Sequence, residues 1–243
     1  MGKILLLTRR EVSSYFVSPI AYVAMALFLV ISGFIFSLAD FHSGAPASMR
    51  SIFDVMMLIL VFVLPIITMR SLSEERRSGT LETLLTAPVT DTQVVVAKFL
   101  GCWFFYVAMI APTAVYIAAL VAFGNPDFGP IASGYLGLVL LGGLYVAVGL
   151  MASSLTSNQV IASVTAFVIL LVMSLLAPWI STVVPTEAWK IPFREIVRQA
   201  SVRSHYVDFS QGVVDLVHVV YFVAVTLFAL FFTVKVLESR RWR

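Results

Sequence analysis

The residues best suited to chemistry are three histidines and a single cysteine, and their spacing matches no catalytic or metal-binding motif. His42, His205 and His218 lie outside any HExxH pattern, and none has a second histidine one helical turn away. Because Cys102 is the only cysteine, an internal disulfide or a cysteine-based metal site is excluded. The chain also lacks GxSxG and the phosphate-binding GxxxxGK[ST] loop. We therefore predict that it is not an enzyme and binds no metal or cofactor itself.

The composition requires an apolar solvent. Of 243 residues, 60% are hydrophobic and 12% are charged, with a mean hydropathy of +0.99, whereas a soluble domain is roughly a quarter charged. A chain of this size has too little interior to hide so much apolar surface from water. The net charge of +3 comes from basic residues scattered between apolar runs, so we expect no nucleic-acid partner.

Apolar stretches of about 20 residues, the length needed to cross a bilayer, occur six times. The first is longer than the apolar part of a signal peptide and is expected to remain as a span. The sequence thus predicts an all-α polytopic membrane protein that forms a single domain over residues 1–243. The predicted spans are 17–39, 52–69, 99–123, 131–154, 160–181 and 213–236.

Basic residues favour the cytoplasmic side of a membrane protein, and their distribution here predicts that both termini are cytoplasmic. With that orientation, five basic residues fall outside: Arg50, Lys190, Arg194, Arg198 and Arg203. Eleven fall inside: Lys3, Arg9, Arg10, Arg70, Arg76, Arg77, Lys98, Lys235, Arg240, Arg241 and Arg243.

The centres of the six spans contain no Asp, Glu, Lys or Arg. Ionisable groups inside a membrane are costly and usually functional, so their absence argues against an intramembrane enzyme. It also argues against a secondary transporter driven by protons, which needs a relay at that depth. A membrane scaffold or assembly factor remains an alternative, although it would not need the patterned loop described next.

Two segments outside the spans have helical patterns. Apolar residues between Ile4 and Phe16 recur at three and four, with Arg9 and Arg10 opposite, which predicts an N-terminal interfacial helix; alternatively this segment extends the first span. In the loop 70–98, Glu74 to Arg77 form a charged turn and Gly79 permits a reversal. Thr80 then caps a second, amphipathic helix that ends before Pro88.

The same loop resembles a known family. The run Glu-Glu-x-x-Ser-Gly-Thr-Leu-Glu-x-Leu-Leu-x-x-Pro-Val, which starts at Glu74, and the later Lys98-Phe-Leu-Gly are similar to the coupling region of ABC-2 permeases. The block from Ser204 to Asp215 and the end Leu237-Glu-Ser-Arg-Arg resemble the gliding-motility-associated (GldF-like) branch. Ser18-Pro-Ile-Ala-Tyr and Ser157-Asn-Gln fit the same branch.

This resemblance implies the permease subunit of an ATP-driven exporter in a bacterial inner membrane. Two permeases, identical or related, would pair above two ABC ATPase subunits, which would bind the ATP and Mg²⁺. The cytoplasmic loop would carry a coupling helix that docks on the ATPase. The resemblance assigns the docking surface to Glu74, Glu75, Arg76, Arg77, Gly79, Thr80 and Glu82.

The external loop 182–212 is the other candidate region. Ile191 to Arg198 has an apolar and a basic side, which predicts short helices on the outer surface. The resemblance adds a possible auxiliary extracytoplasmic protein as a partner. Basic side chains here could attract an acidic cargo group or reach toward lipid headgroups, and His218 is expected to be solvated or interfacial. The candidate residues are Arg194, Arg198, Arg203, His205 and Asp208.

Overall fold

A computed structural model describes residues 2–39, 48–79, 90–177, 179 and 191–240, and these residues form helices and short connections with no strand. Within the described part of the chain, five helices precede Pro112: α1 (Gly2–Val17), α2 (Pro19–Ala39), α3 (Arg50–Thr68), α4 (Arg70–Arg77) and α5 (Asp91–Ile110). Six described helices follow it: α6 (Ala114–Phe123), α7 (Phe128–Leu155), α8 (Gln159–Leu171), α9 (Ile191–Ala200), α10 (Val202–Ser210) and α11 (Leu216–Arg240). A 3₁₀ turn, Ala111–Thr113, joins α5 to α6, and a π-helical turn, Val172–Leu176, extends α8.

Six helical stretches among the described residues are long and apolar enough to span a membrane. They confirm the predicted class, an all-α polytopic membrane protein. Large apolar side chains such as Phe34 and Phe228 remain exposed on the outer faces of α2 and α11, as expected where lipid replaces water. The stretches are Pro19–Leu38, Arg50–Arg77, Asp91–Phe123, Phe128–Leu155, Gln159–Leu176 and Leu216–Ser239.

Helix α7 is the centre of the bundle, because it packs against α3, α5, α8, α10 and α11. Glycines allow this close packing. A Cβ atom added at Gly142 would lie 2.0 Å from the Tyr106 ring, and one at Gly149 would lie 2.1 Å from Thr68 Oγ1. Tyr106 Oη also donates a hydrogen bond to the Leu138 carbonyl at 2.7 Å. Where lipid removes the hydrophobic drive between helices, such close contact provides much of their association.

Helix α1 is separate from α2, because the helix is interrupted at Ser18, directly before Pro19. Proline disfavours helical geometry in the preceding residue. Helix α1 packs along α5 instead, where the rings of Tyr15 and Phe105 stack with centroids 5.6 Å apart. A Cβ at Gly101 would lie 2.5 Å from Glu11 Cβ, so the two backbones approach closely. The structure therefore favours a distinct N-terminal helix over an extension of the first span.

Candidate functional site

The predicted coupling region begins with α4, which follows α3 after the single residue Met69. Ser153 of α7 stabilises this junction: its Oγ accepts from the backbone N–H groups of Leu72 at 3.1 Å and Ser73 at 3.0 Å. The same hydroxyl donates to the Met69 carbonyl at 3.0 Å. One donor and two acceptor positions are all that a serine hydroxyl has, so α7 holds the start of α4 through a fully used side chain.

Lys98 joins three helices through buried ion pairs. Its side chain is 3% exposed, and its Nζ lies 2.7 Å from Glu75 Oε1 of α4 and 3.2 Å from Glu11 Oε1 of α1. A buried ammonium is strongly unfavourable unless it is paired, so Lys98 requires both carboxylates near it. The end of the bundle that contains α1, α4 and Lys98 is called the α1 end below.

Two more charged residues of α4, Arg70 and Arg76, have intramolecular partners. Arg70 binds Glu74 with both Nε and Nη2, at 2.7 and 3.1 Å, and its Nη1 lies 3.4 Å from Ser18 Oγ. Arg76 Nη1 donates to the Ser154 carbonyl at 3.4 Å. A cavity of about 320 Å³ separates α4 from α1 beside these groups. Lys98 of α5 links the two helices beside this cavity.

Arg77, the last residue of α4, and the following Ser78 and Gly79 form an exposed tip. Gly79 has φ +72°, a left-handed conformation that glycine adopts without strain, in agreement with the predicted chain reversal. Thr80 and Glu82, also predicted docking residues, lie outside the described residues. Helix α5 then begins after a capping box between Thr90 and Gln93.

Glu74 and Glu75 both pair with basic residues of this chain. Glu74 binds Arg70, one helical turn earlier, and Glu75 binds Lys98 of α5. Residues four apart face each other on a helix, which brings Arg70 and Glu74 together.

At the opposite end, called the α10 end, α9 and α10 pack beside the start of α11. Arg198 Nη2 lies 2.9 Å from Glu195 Oε1 on the exposed side of α9, and this hydrogen bond raises the pKa of Arg198. Arg203 lies 3.8 Å from Asp54 of α3. Arg194 belongs to α9, but its side chain is outside the described residues. The basic residues with described side chains are therefore already beside carboxylates of this chain.

His205, His218 and Asp208 form a connected group at the α10 end. His218 Nε2 lies 2.6 Å from Asp208 Oδ2, and His218 Nδ1 lies 2.7 Å from His205 Nδ1. His205 Nε2 lies 3.0 Å from the Gln199 carbonyl oxygen. The His205 ring stacks on Tyr221 with centroids 3.9 Å apart. Burial lowers the pKa of His205.

The side chain of His218 is 15% exposed, so it is not fully solvated, and its position at the membrane interface stays a prediction. The two histidines are 13 residues apart, too far for a helical-spacing test to pair them. The chain turns back between α10 and α11 at Gly212, whose φ is +96°. That glycine, lying between the two histidines, was the signal that could have indicated their meeting.

Comparison with known proteins identifies the family. Residues 42–200 match the family described as ABC-2 family transporter protein. The chain belongs to the ABC-2 transporter family. It is 33% identical over 124 residues to the protein named "Probable multidrug ABC transporter permease YbhR" of Escherichia coli K12, and equally to that of strain O157:H7. These alignments cover 51% of this chain but only 33% of either relative, so the chain spans about a third of the relatives' length.

The chain is thus an ABC-2 transporter permease, but the family match covers only part of the two ends of the bundle. The matched residues 42–200 contain α4 and the tip from Arg77 to Gly79. Helix α1, with Glu11, and both α10 and α11, with the histidine pair, lie outside that range. The ABC-2 assignment therefore covers the predicted coupling region of this permease and says nothing of the histidine pair.

Proposed function

We propose that this permease is the membrane subunit of an ATP-driven exporter and that a separate ABC ATPase docks at the tip that follows α4. The observation that carries the proposal is the buried Lys98, which binds Glu75 of α4 and Glu11 of α1 at 2.7 and 3.2 Å. Such pairing makes α4 move together with α1 and α5. A membrane scaffold would need no such link between a peripheral helix and its spans.

Force applied to α4 has four routes into the bundle. Helix α4 follows the spanning helix α3 after one residue. Ser153 connects it to α7, and Lys98 connects it to α5 and α1. Because α7 contacts most of the other spans, a displacement of α4 reaches the whole permease. Closure of the ATPase pair on ATP, which with Mg²⁺ binds only to the ATPase, would supply the displacement.

The predicted docking residues divide into two groups on this proposal. Arg77 and Gly79 are exposed at the tip and meet the ATPase, together with Thr80 and Glu82. Glu74, Glu75 and Arg76 are engaged within the permease and hold α4 in place. We therefore assign contact with the ATPase to the tip, and transmission of movement to the spans to α4.

The setting and cargo follow from the same proposal. The docking side must be cytoplasmic, which places both termini in the cytoplasm and the permease in a bacterial inner membrane, paired with a second permease.

Spans without charges at their centres suit amphipathic cargo, in keeping with the multidrug name of the relatives. The block Ser204 to Asp215 supports the GldF-like branch, and an auxiliary extracytoplasmic protein at the α10 end belongs to this proposal.

Co-purification and vesicle transport with a candidate ABC ATPase test the proposal. Arg77→Glu should reduce ATPase recovery at least about tenfold, since about 1.4 kcal/mol of lost binding gives that factor. Glu75→Gln should leave recovery intact and reduce transport per ATP hydrolysed. Arg198→Glu, an equal charge reversal at the exposed far end, is the matched control and should change neither. Equal ATPase recovery with Arg77→Glu and Arg198→Glu would overturn docking at the tip.

A further inference from the structure

An unbroken row of hydrogen-bond contacts crosses the α10 end. It runs from the Gln199 carbonyl through the His205 ring and the His218 ring to the Asp208 carboxylate, with contacts of 3.0, 2.7 and 2.6 Å. These three contacts connect α9, α10 and the first turn of α11. The contact of 3.0 Å lies in the normal range for N–H···O hydrogen bonds, and the contact of 2.6 Å is slightly shorter than that range.

The two ends of this row fix its proton count. A carbonyl oxygen and a carboxylate only accept hydrogen bonds, so His205 Nε2 and His218 Nε2 must both carry protons. The two Nδ1 atoms face each other at 2.7 Å, and one of them must donate to the other. Three protons are therefore needed on four ring nitrogens, whereas two neutral imidazoles carry only two. The row is complete only when it holds one added proton.

The added proton belongs on His218. That ring lies 2.6 Å from the Asp208 carboxylate, which accepts from its Nε2. Burial lowers the pKa of His205, which favours the neutral ring there. Neutral His205 then donates from Nε2 to Gln199 and accepts at Nδ1 from His218. With the carboxylate included, the protonated group has no net charge.

We propose that the His205–His218 pair, with Asp208, is a proton-binding site that fastens α9 and α10 to the start of α11. When the proton leaves, both Nδ1 atoms present lone pairs to each other at 2.7 Å, and the central contact becomes repulsive. Deprotonation thus separates α10 from α11 at the point where the external helices meet the last span. This site is independent of ATPase docking at the opposite end.

Other groups around the pair set its response without changing the proton count. On α9, the positive charge of Arg198 opposes protonation of His205. On α11, Tyr221 stacks on His205 and donates its Oη to the Ala200 carbonyl at 2.8 Å. The backbone carbonyl of Asp215, just before α11, accepts from the His218 backbone N–H at 3.2 Å. Among the described residues, Asp54 of α3, Tyr106 of α5, and Tyr135 and Tyr145 of α7 interact electrostatically with Tyr206 of α10.

Nitrogen NMR of ¹⁵N-histidine-labelled permease in detergent micelles tests the site directly. The chain has three histidines, so His42→Gln leaves only the two of interest. A protonated and an unprotonated ring nitrogen have clearly different shifts, so the protons can be counted. At about pH 6 to 7, the range in which histidine titrates, we expect three protonated nitrogens, with only His205 Nδ1 unprotonated. A single coupled step should then remove the proton at higher pH.

Two variants make the result decisive. In Tyr221→Phe the ring stack is kept and the hydroxyl is absent, so the three-proton state should persist unchanged. In Asp208→Asn the carboxylate is lost, so the three-proton state should move to lower pH by about one unit or more. Two rings that titrate independently of each other, or two rings that stay neutral across the whole range, would overturn the proposal, as would an Asp208→Asn spectrum identical to that of the parent.

Discussion

The two ends of this permease fasten peripheral helices to the bundle by similar means but with different chemistry. At the α1 end, Lys98 binds Glu11 and Glu75, two carboxylates from different helices. At the α10 end, the central contact joins two imidazoles, and one carboxylate lies beside them. Lysine and glutamate side chains ordinarily stay charged near neutral pH, whereas histidine titrates there. The link at the α1 end should therefore stay the same near neutral pH, whereas the link at the α10 end should depend on pH.

Among the variants considered, removing Lys98 should cause the largest loss of stability. Lys98→Met leaves two carboxylates facing each other at the α1 end, and breaking a buried ion pair costs about 3–5 kcal/mol. We expect a correspondingly lower unfolding temperature in detergent. Adding Glu11→Gln and Glu75→Gln to this variant removes the uncompensated charges and should restore much of the loss. If Lys98→Met alone were as stable as the parent, the ion pairs would not stabilise the fold.

Ser153→Ala should cause the second-largest loss of stability. It removes one hydroxyl that serves three backbone groups at the start of α4, and unsatisfied buried groups cost about 1–3 kcal/mol. The control is Ser163→Ala on α8, where an exposed hydroxyl donates only to the Val160 carbonyl. Thermal unfolding of both variants measures the difference. Equal stability would mean that α4 does not depend on α7.

The pH dependence of stability should distinguish the histidine pair at the α10 end from the ion pairs at the α1 end. If the folded pair holds one added proton, as proposed, stability falls as pH rises above about 6.5, because the unfolded histidines are then mostly neutral. Below that pH, the unfolded chain binds two protons and the folded pair one, because burial lowers the pKa of His205, so stability falls as pH falls. The stabilisation should peak near pH 6.5 with a height of about 1 kcal/mol.

His205→Gln with His218→Gln should flatten this peak, measured as the difference in unfolding free energy from the parent. Lys98→Met should lower the whole curve and leave the peak in place. A peak that survives without the two histidines would assign the pH dependence to other groups.

The smallest effect is expected for the exposed pair of Arg198 and Glu195. Solvent screens this pair at 2.9 Å on the open side of α9. Glu195→Gln should leave the unfolding temperature unchanged within error at both low and high salt. A clear loss would show that α9 depends on exposed charges as well as on the histidine pair.

The sequence predicted the six spans because apolar stretches of about 20 residues reflect the thickness of the bilayer. It also predicted the turn at Gly79, since glycine tolerates the left-handed conformation found there. The partners of Glu75 and His218 could not be predicted in this way. Glu75 lies 23 residues from Lys98, and Glu11 lies 87. Such pairings depend on how α1, α4 and α5 pack, which local patterns do not encode.

The ratio of transport to ATP hydrolysis in vesicles containing permease and ATPase tests the central claim most directly. The claim is that Lys98 and Glu75 transmit movement of α4 to the spans. Losing a charge-assisted hydrogen bond of about 1.5–3 kcal/mol should lower that ratio at least about tenfold in Glu75→Gln, while the ATPase still co-purifies. An unchanged ratio in Glu75→Gln, with normal ATPase recovery, would contradict the account.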